Sequence, residues 1–278
     1  MPKAGARKVG AQPPDLREEI FSAHQARMVE AAVIVEAGGV VSGLKRAAAA
    51  AREGRLDWES PLRGGDEVAA GAELARLRGA AIDVVRAEDV ILGELSKASG
   101  VATAARLAKN TAGSSFRVVC GAFKKMPASL KGMLRQAIKD GGLEGRMAPQ
   151  PFVYLDKNYV RILGGVGPAL RAVAHLNRPT VIQLRGEFGP IGQEALEAVA
   201  AGAFLLMVDT GRQEDLTEVL ESLKQHGLRS SVQVAFAGNL RPEHLDRLKT
   251  CDLDAVDIGY GVIDAPCLPM RLDVLSRF

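Results

Sequence analysis

The feature that most constrains this 278-residue chain is a regular alternation of strand-like and helix-like segments in its second half. Short apolar runs predict strands at 117–120, 152–155, 180–184, 204–208, 231–236 and 255–258. Helical patterns lie between them, for example at 194–201, 214–225 and 243–248. Six successive β/α units predict an α/β fold with a parallel sheet and right-handed crossovers. A standard closed barrel has eight units, so the pattern leaves open whether the sheet closes.

The first part of the chain follows a different pattern. Residues 1–16, with Pro13 and Pro14, predict a flexible basic tail. Periodicity and glycine turns then predict a strand at 31–35, a helix at 41–52, short strands at 67–68 and 73–77, and a long helix at 83–110. Glycine costs about 1 kcal/mol against alanine inside a helix, and Gly93 and Gly100 both interrupt the long one. Because the neighbours of Gly100 are small, we expect another backbone to pack closely there.

Composition narrows the class of function. An apolar content of 47% with 25% charged residues is typical of a globular protein. A net charge of +3 and an aromatic content of 4% do not predict a nucleic-acid surface. Three distant cysteines without a CxxC pair favour a reducing compartment. No apolar run reaches the roughly 18 residues of a membrane span, and the first residues lack the apolar core of a secretory signal. We therefore expect a cytoplasmic protein that binds neither nucleic acid nor membranes.

Charged residues and glycines follow the predicted strands, at the edge where a parallel α/β sheet binds its ligand. Lys124 and Lys125 follow the first strand, and Asp209 follows the fourth. The last two strands end in the turns AFAGN and DIGYG, a type of turn whose N–H groups can hold a phosphate. Solvated lysines and simple tight turns would give the same pattern. An anion-binding mouth and an ordinary loop surface therefore both stay open at this point.

Several motifs resemble, in order, those of quinolinate phosphoribosyltransferases, also called carboxylating nicotinate-nucleotide pyrophosphorylases. The helix EDVILGELSKASGVAT resembles that family's ERTALNFLQxLSGIAT, and GGDEVAAGAELARLRG resembles GDxVxxGxxLaxveG. AFKKMP, GGLEGRM and YLDKN are similar to TRKTTP, GGxxNHR and IKDNH. AVAAGAFLLMVD and DAVDIG are similar to ALxAGADxIMLD and DVISVG. The resemblance therefore covers nearly the whole chain.

The resemblance implies an N-terminal α/β sandwich at 17–112 and an incomplete parallel α/β barrel of six or seven strands at 113–265. Residues 266–278 would return to the N-terminal domain. It also implies a homodimer in which one subunit's N-terminal domain caps the other's barrel mouth. The family transfers the phosphoribosyl group of PRPP, with Mg²⁺, to the ring nitrogen of quinolinate and then releases the 2-carboxylate.

Site residues follow from the same resemblance. Lys124, Lys157 and Asp209 are the expected catalytic residues, and Asp209 is also the expected Mg²⁺ ligand. The acceptor pocket is expected to contain Asp89, Phe123 and Asp156. Substrate and phosphate binding is expected from Arg146, Asn158, Gln183, Gly238, Asn239, Gly259, Tyr260 and Gly261.

The chain departs from the family at charged positions. The arginines of ERT and TRK are replaced by Asp89 and Phe123, and the histidine of the HR pair by Gly145. In the KDNH motif, Asp156 replaces the lysine and Lys157 replaces the aspartate. Three further departures remain. Tyr159 replaces the histidine of KDNH, Gln183 replaces a strand glutamate, and Ile263 replaces the histidine after the final glycine turn.

These replacements remove cations that would pair with a dicarboxylate. Burying a carboxylate without a partner is costly, so the pattern disfavours quinolinate as the substrate. We therefore expect a PRPP-dependent transferase that acts on another nitrogen heterocycle, either neutral or cationic. Two alternatives remain: a genuine quinolinate enzyme with compensating residues, and a non-catalytic binding protein on the same fold. The fold by itself cannot choose among the three.

Overall fold

The computed structural model describes residues 15–24 and 27–277. The predicted basic tail therefore lies outside the described residues, apart from Asp15 and Leu16 at its end. The helices are α1 (Leu16–Ile20), α2 (Leu44–Glu53), α3 (Ala81–Ala112), α4 (Ala128–Asp140), α5 (Lys157–Leu163), α6 (Val166–Val173), α7 (Ile191–Ala200), α8 (Gln213–Gln225) and α9 (Tyr260–Ile263). The strands are β1 (Met28–Val35), β2 (Gly39–Val40), β3 (Asp57–Glu59), β4 (Glu67–Val68), β5 (Glu73–Ala80), β6 (Arg117–Val119), β7 (Val153–Leu155), β8 (Thr180–Leu184), β9 (Leu205–Asp209), β10 (Gln233–Ala237), β11 (Ala255–Asp257) and β12 (Met270–Arg277).

The N-terminal part is built on an antiparallel sheet with the strand order β12-β1-β5-β3. Alternating apolar residues of β1 and β5, such as Val33 and Leu77, are fully buried. They share one apolar cluster with residues of α2 and the first half of α3. Since β12 pairs with β1, the end of the described chain lies in the N-terminal sheet.

Helix α3 continues through both of its glycines. An added Cβ at Gly100 would collide with the carbonyl oxygen of Pro266, whereas one at Gly93 would meet nothing within 4 Å. The expected close packing at Gly100 is therefore confirmed. The second half of α3 presents Ala98, Ala102 and Ala105 to the core of the larger part, so one helix contributes to both cores.

The larger part is a parallel sheet with the strand order β6-β11-β10-β9-β8-β7, formed by the strands that the alternation predicts. Side chains alternate along each strand as the pleat requires. Ile182, Leu206 and Phe236 belong to the cluster that includes the surrounding helices, while Val181 and Leu205 belong to a separate cluster inside the sheet's curve. Because β6 and β7 are the two ends of this sheet, the barrel is incomplete, as the resemblance implies.

One predicted helix is wrong. Residues 243–248 form two short 3₁₀ turns, Pro242–His244 and Asp246–Leu248, instead of an α-helix. A segment this short forms few i→i−4 hydrogen bonds, which do not offset the cost of nucleating a helix. The turns keep Leu245 and Leu248 buried, so the apolar spacing that suggested a helix still serves packing.

Within residues 15–24 and 27–277, no helix is both long enough and apolar enough to cross a bilayer.

Candidate active site

A cavity of about 500 Å³ opens at the C-terminal ends of the parallel strands. Among the residues that the structure describes, its lining includes five cationic side chains: Lys124, Lys125, Arg135, Arg146 and Lys157. Its acidic lining residues within the same described part are Asp156, Asp209 and Asp257. Cations therefore outnumber acids around the cavity. This composition suits a ligand with several negative charges.

Most residues that the sequence assigns to the site lie on this cavity. They are Phe123, Lys124, Arg146, Asp156, Lys157, Gln183, Asp209, Gly238, Asn239, Gly259 and Tyr260. Gly261 lies beside it, on a neighbouring cavity that shares Asn239 and Tyr260. Asn158 follows the N-terminus of α5, where its backbone N–H donates to Asp156 Oδ1 at 2.9 Å.

Asp89 is placed elsewhere. It lies on α3, its side chain is 71% exposed, and its carboxylate pairs with Arg17 Nη2 at 2.9 Å. The cavity lining within the described chain does not include it. Asp89 can line an acceptor pocket only if a second subunit brings it there, so its assignment stays a prediction.

The exchanged pair Asp156 and Lys157 has a local structural explanation. Asp156 is the N-cap of α5, and its Oδ1 accepts from the backbone N–H groups of Asn158 and Tyr159. Its Oδ2 accepts from Lys124 Nζ at 3.0 Å. Burial alone would raise the pKa of the Asp156 carboxyl, but the hydrogen bonds from Lys124 and Asn158 outweigh burial and lower it. Asp156 is therefore an ionised partner that holds Lys124 at the rim.

Two further carboxylates flank a small residue on the floor. Ala237 is in register with Asp209 on one side and with Asp257 on the other. The methyl group of alanine fills little of the space between the two acids. Burial raises the pKa of Asp257, although its Oδ1 accepts from Gly121 N at 3.0 Å and Gly259 N at 3.2 Å. Burial also raises the pKa of Asp209, against the opposing effect of Arg185.

Gln183 connects several of these groups. Its Nε2 donates to Tyr154 Oη and to Asp209 Oδ2, both at 3.0 Å. Its Oε1 accepts from Lys157 N at 2.8 Å. The amide is thus held in one orientation by three contacts. Tyr154 is largely buried, and burial raises the pKa of its phenol, so the hydroxyl stays protonated at neutral pH.

The glycine turns have a structural requirement of their own. Gly238 has φ +118°, and an added Cβ would collide with the backbone of Gly211. Gly259 has φ +39° and precedes α9. Both turns line the cavity, next to Lys125, whose Nζ lies 4.3 Å from the centroid of the Tyr260 ring. The turns therefore bring backbone close to a cationic side chain, an arrangement suited to phosphate.

Among the charged and polar lining residues that the structure describes, sequence reasoning assigned no site role to three: Arg135, Tyr154 and Asp257. Tyr154 and Asp257 are on the same face of the sheet as Gln183 and Asp209, and the two-residue period of strands is a signal that can find them. Arg135 comes from α4, with its Cζ 5.1 Å from the centroid of the Phe123 ring. Only the packing of α4 against the barrel brings this cation to the mouth, and no local motif marks it.

Family models match both parts of the chain. The family model of the C-terminal domain of quinolinate phosphoribosyl transferase matches residues 101–273, and that of the N-terminal domain matches residues 15–99. A probable carboxylating nicotinate-nucleotide pyrophosphorylase of Archaeoglobus fulgidus is 27% identical over 257 residues, which cover 89% of this chain and 95% of that protein. The human carboxylating nicotinate-nucleotide pyrophosphorylase is 28% identical over 230 residues, or 80% and 74% of the two chains.

Solved structures share the fold. NadC from Streptococcus pyogenes superposes with a TM-score of 0.78 at 19% identity, covering 95% of this chain and 92% of that one. Nicotinate-nucleotide pyrophosphorylase from Pyrococcus furiosus gives a TM-score of 0.79 at 20% identity, covering 94% and 72%. With both domains matched by their family models and the barrel mouth lined by cations, this chain belongs to the quinolinate phosphoribosyl transferase family.

Proposed function

We propose that the protein is a phosphoribosyltransferase of the carboxylating nicotinate-nucleotide pyrophosphorylase type, with PRPP as donor and quinolinate as acceptor. The observation that carries the proposal is the cationic excess around one cavity at the barrel mouth. The relatives that bear this activity in their names match the chain over most of its length. The sequence-based expectation of a different acceptor has no support in these comparisons, which favour the alternative of a quinolinate enzyme with compensating residues.

The cavity lining supports the proposal of compensating residues. Two arginines of the family motifs are absent from the sequence, but Arg135 and Lys125 line the same mouth. With Arg146 and Lys157 they provide partners for two carboxylates and a pyrophosphate. Lys124 also lines the cavity, and its ammonium has donors for PRPP besides the one that Asp156 accepts.

The proposed reaction uses these groups in two stages. In the first, the bond between ribose C1 and the pyrophosphate oxygen breaks while a bond forms from the quinolinate ring nitrogen to C1. Charge grows on the leaving pyrophosphate, and cations beside the glycine turns stabilise it. In the second stage the bond to the 2-carboxylate breaks, CO₂ leaves, and the ring carbon takes up a proton.

Mg²⁺ is part of the proposal, with Asp209 as its protein ligand. Among the described residues, no group of three or more His, Cys, Asp or Glu side chains could hold a metal ion by itself. Mg²⁺ commonly keeps its waters and binds one or two carboxylates together with substrate phosphates, so a single aspartate fits this role. Gln183 Nε2 and Arg185 Nη1 both donate to Asp209 Oδ2. Within the described chain, no donor contacts Asp209 Oδ1. Mg²⁺ bound there would neutralise part of the pyrophosphate charge.

A homodimer also belongs to the proposal. The rim of the mouth exposes large apolar side chains, including Tyr159, Ile162 and Phe188, of which Ile162 is 82% exposed. A partner's N-terminal domain would cover such a rim and bring its Asp89 near the acceptor. Cytoplasmic residence stays a prediction.

The decisive experiment follows pyrophosphate, CO₂ and nicotinate mononucleotide in reactions of the purified protein with PRPP, Mg²⁺ and quinolinate. Stoichiometric formation of all three is expected. Binding of PRPP without quinolinate turnover, followed by turnover of another heterocycle, would restore the hypothesis of an altered acceptor. A protein that binds no PRPP in calorimetry would be a non-catalytic member of the family.

A further inference from the structure

Tyr154 is a polar group inside the cavity to which neither the family motifs nor the proposed function gives a role. It lies on β7, two residues before Asp156, so its side chain points to the same face of the sheet. A strand rises about 3.3 Å per residue, which places Tyr154 about 7 Å deeper in the barrel than the rim. Its ring packs against the interior apolar cluster together with Phe152. The tyrosine therefore lies inside the barrel, with its ring on the interior apolar cluster and its hydroxyl in contact with Gln183.

The hydrogen bonding of Gln183 determines what this hydroxyl can do. Gln183 Nε2 donates to Tyr154 Oη, so the tyrosine oxygen is the acceptor in that contact. The orientation of the amide cannot reverse without loss, because Oε1 accepts from Lys157 N and Nε2 also donates to Asp209 Oδ2. Among the described residues, no acceptor contacts the hydrogen of the Tyr154 hydroxyl. That hydrogen is available to a ligand in the cavity.

A largely buried O–H donor favours an anionic oxygen as its acceptor. Burial, and then the nearby charges of Asp257, Asp209 and Asp156, raise the pKa of the phenol, so it remains a donor. Two kinds of anion enter this cavity in the proposed reaction, namely the phosphates of PRPP and the carboxylates of the acceptor. The strand order separates the two kinds of anion. The glycine turns, which suit phosphate, follow β10 and β11, whereas β7 is the far end of the sheet, beyond β9 and β8.

We propose that Tyr154 is a specificity-determining residue that donates a hydrogen bond from its O–H to a carboxylate of the acceptor heterocycle, with Gln183 as the positioning residue that orients it. The inference rests on the proposed function and deepens it. It assigns the acceptor ring to the β7 side of the mouth, against Phe152 and Tyr154. A hydroxyl at this position is part of the compensation for the missing arginines, because it supplies a donor without adding a charge.

The test compares Tyr154→Phe with Thr250→Val, which removes a hydroxyl from an exposed residue that does not line the cavity. Binding of quinolinate and of PRPP is measured by calorimetry, each ligand separately, and kcat/KM is measured for both. Tyr154→Phe is expected to weaken quinolinate binding and kcat/KM by about 10- to 100-fold, the effect of one hydrogen bond to a charged group. PRPP affinity should change by less than twofold. Thr250→Val should match the wild type in every measurement.

The affinities of two singly charged analogues distinguish a direct contact with a carboxylate from a merely structural role of Tyr154. Pyridine-2-carboxylate and pyridine-3-carboxylate each keep one of the two carboxylates and are tested as competitors of quinolinate. Tyr154→Phe should weaken only the analogue that keeps the contacted carboxylate. Equal weakening of both analogues, or of PRPP as well, would show general damage to the site and overturn the assignment.

Failure of this inference is distinguishable from failure of the proposed function. A wild-type protein that converts quinolinate, with Tyr154→Phe unchanged, overturns the role of Tyr154 and leaves the function intact. A wild-type protein that neither binds nor converts quinolinate overturns the function and the tyrosine assignment together. A thermal midpoint of Tyr154→Phe equal to that of the wild type makes a loss of affinity attributable to the missing hydroxyl.

Discussion

At the scale of single residues, the site holds its acids in two different ways. Asp156 is ionised at the rim because Lys124 and two backbone N–H groups contact it. Asp257 is partly buried on the floor, where two backbone N–H groups are its hydrogen-bond donors. The first carboxylate is favourable to folding, and the second has a raised pKa, which marks a cost to the folded state.

Replacing Asp257 by Asn should stabilise the protein at neutral pH. Both N–H donors contact Oδ1, which asparagine keeps, while the poorly solvated charge is removed. A raised carboxyl pKa in the folded state means that stability falls as pH rises from the unfolded value of about 3.8 through the folded one. The stability gained by the substitution should therefore be full near pH 7 and absent below about pH 3.8. Thermal unfolding checks it, with a rise of about 2–4 °C for each kcal/mol.

Because Asp257 lines the cavity, the same variant should lose activity. Asp252→Asn provides the control, since Asp252 is exposed and remote from the cavity. A thermal midpoint of Asp257→Asn that falls at neutral pH would show that the carboxylate stabilises the floor in spite of its burial.

Lys124→Ala should lower kcat/KM for PRPP by about 10- to 100-fold, the expected loss for one charge-assisted contact to an anion. The substitution also leaves Asp156 without its cationic partner, so the carboxyl pKa should rise and the mouth should become more negative. Steady-state kinetics at neutral pH measure the effect. Lys45→Ala, on the exposed face of α2, is the matched control. Equal kinetics for the two variants would remove Lys124 from the proposed machinery.

At the scale of elements, α3 joins the two parts of the molecule through contacts that only small residues allow. Gly100→Ala should destabilise the protein by about 1–3 kcal/mol, because the added methyl group collides with the backbone carbonyl of Pro266. Gly93→Ala is the matched control in the same helix, with nothing within 4 Å of the added methyl group. It should stabilise by about 1 kcal/mol, the difference in helix propensity. Urea unfolding measures both, and equal effects would contradict the packing role of Gly100.

At the scale of the whole molecule, the proposed homodimer would cover the exposed apolar side chains at the rim of the barrel mouth. Ile162→Glu should dissociate the proposed homodimer and reduce activity together, since the substitution puts a charge into the apolar contact. Leu176→Glu is the control, because Leu176 is also exposed but precedes β8, at the opposite edge of the sheet. Analytical ultracentrifugation reports the mass of each variant. A dimer that persists in Ile162→Glu would place the interface elsewhere.

The sequence by itself determined the elements and their order. The short apolar runs predicted all six parallel strands to within a few residues, because burial on both faces demands continuous apolar segments there. The motifs identified the family, and strand-end positions located most of the site, since parallel strands all end at one edge. The short helix at 243–248 was wrong because spacing alone does not distinguish an α-helix from two 3₁₀ turns.

Tertiary structure alone decided the electrostatics of the mouth. Counting motif residues suggested that cations had been lost, yet Arg135 reaches the cavity from a helix that carries no motif. Asp209, Ala237 and Asp257 become neighbours only when three strands pair in register. The direction of the Tyr154 hydroxyl depends on an amide from the next strand. Charge and hydrogen bonding depend on distances between remote segments, and periodicity along one segment does not contain them.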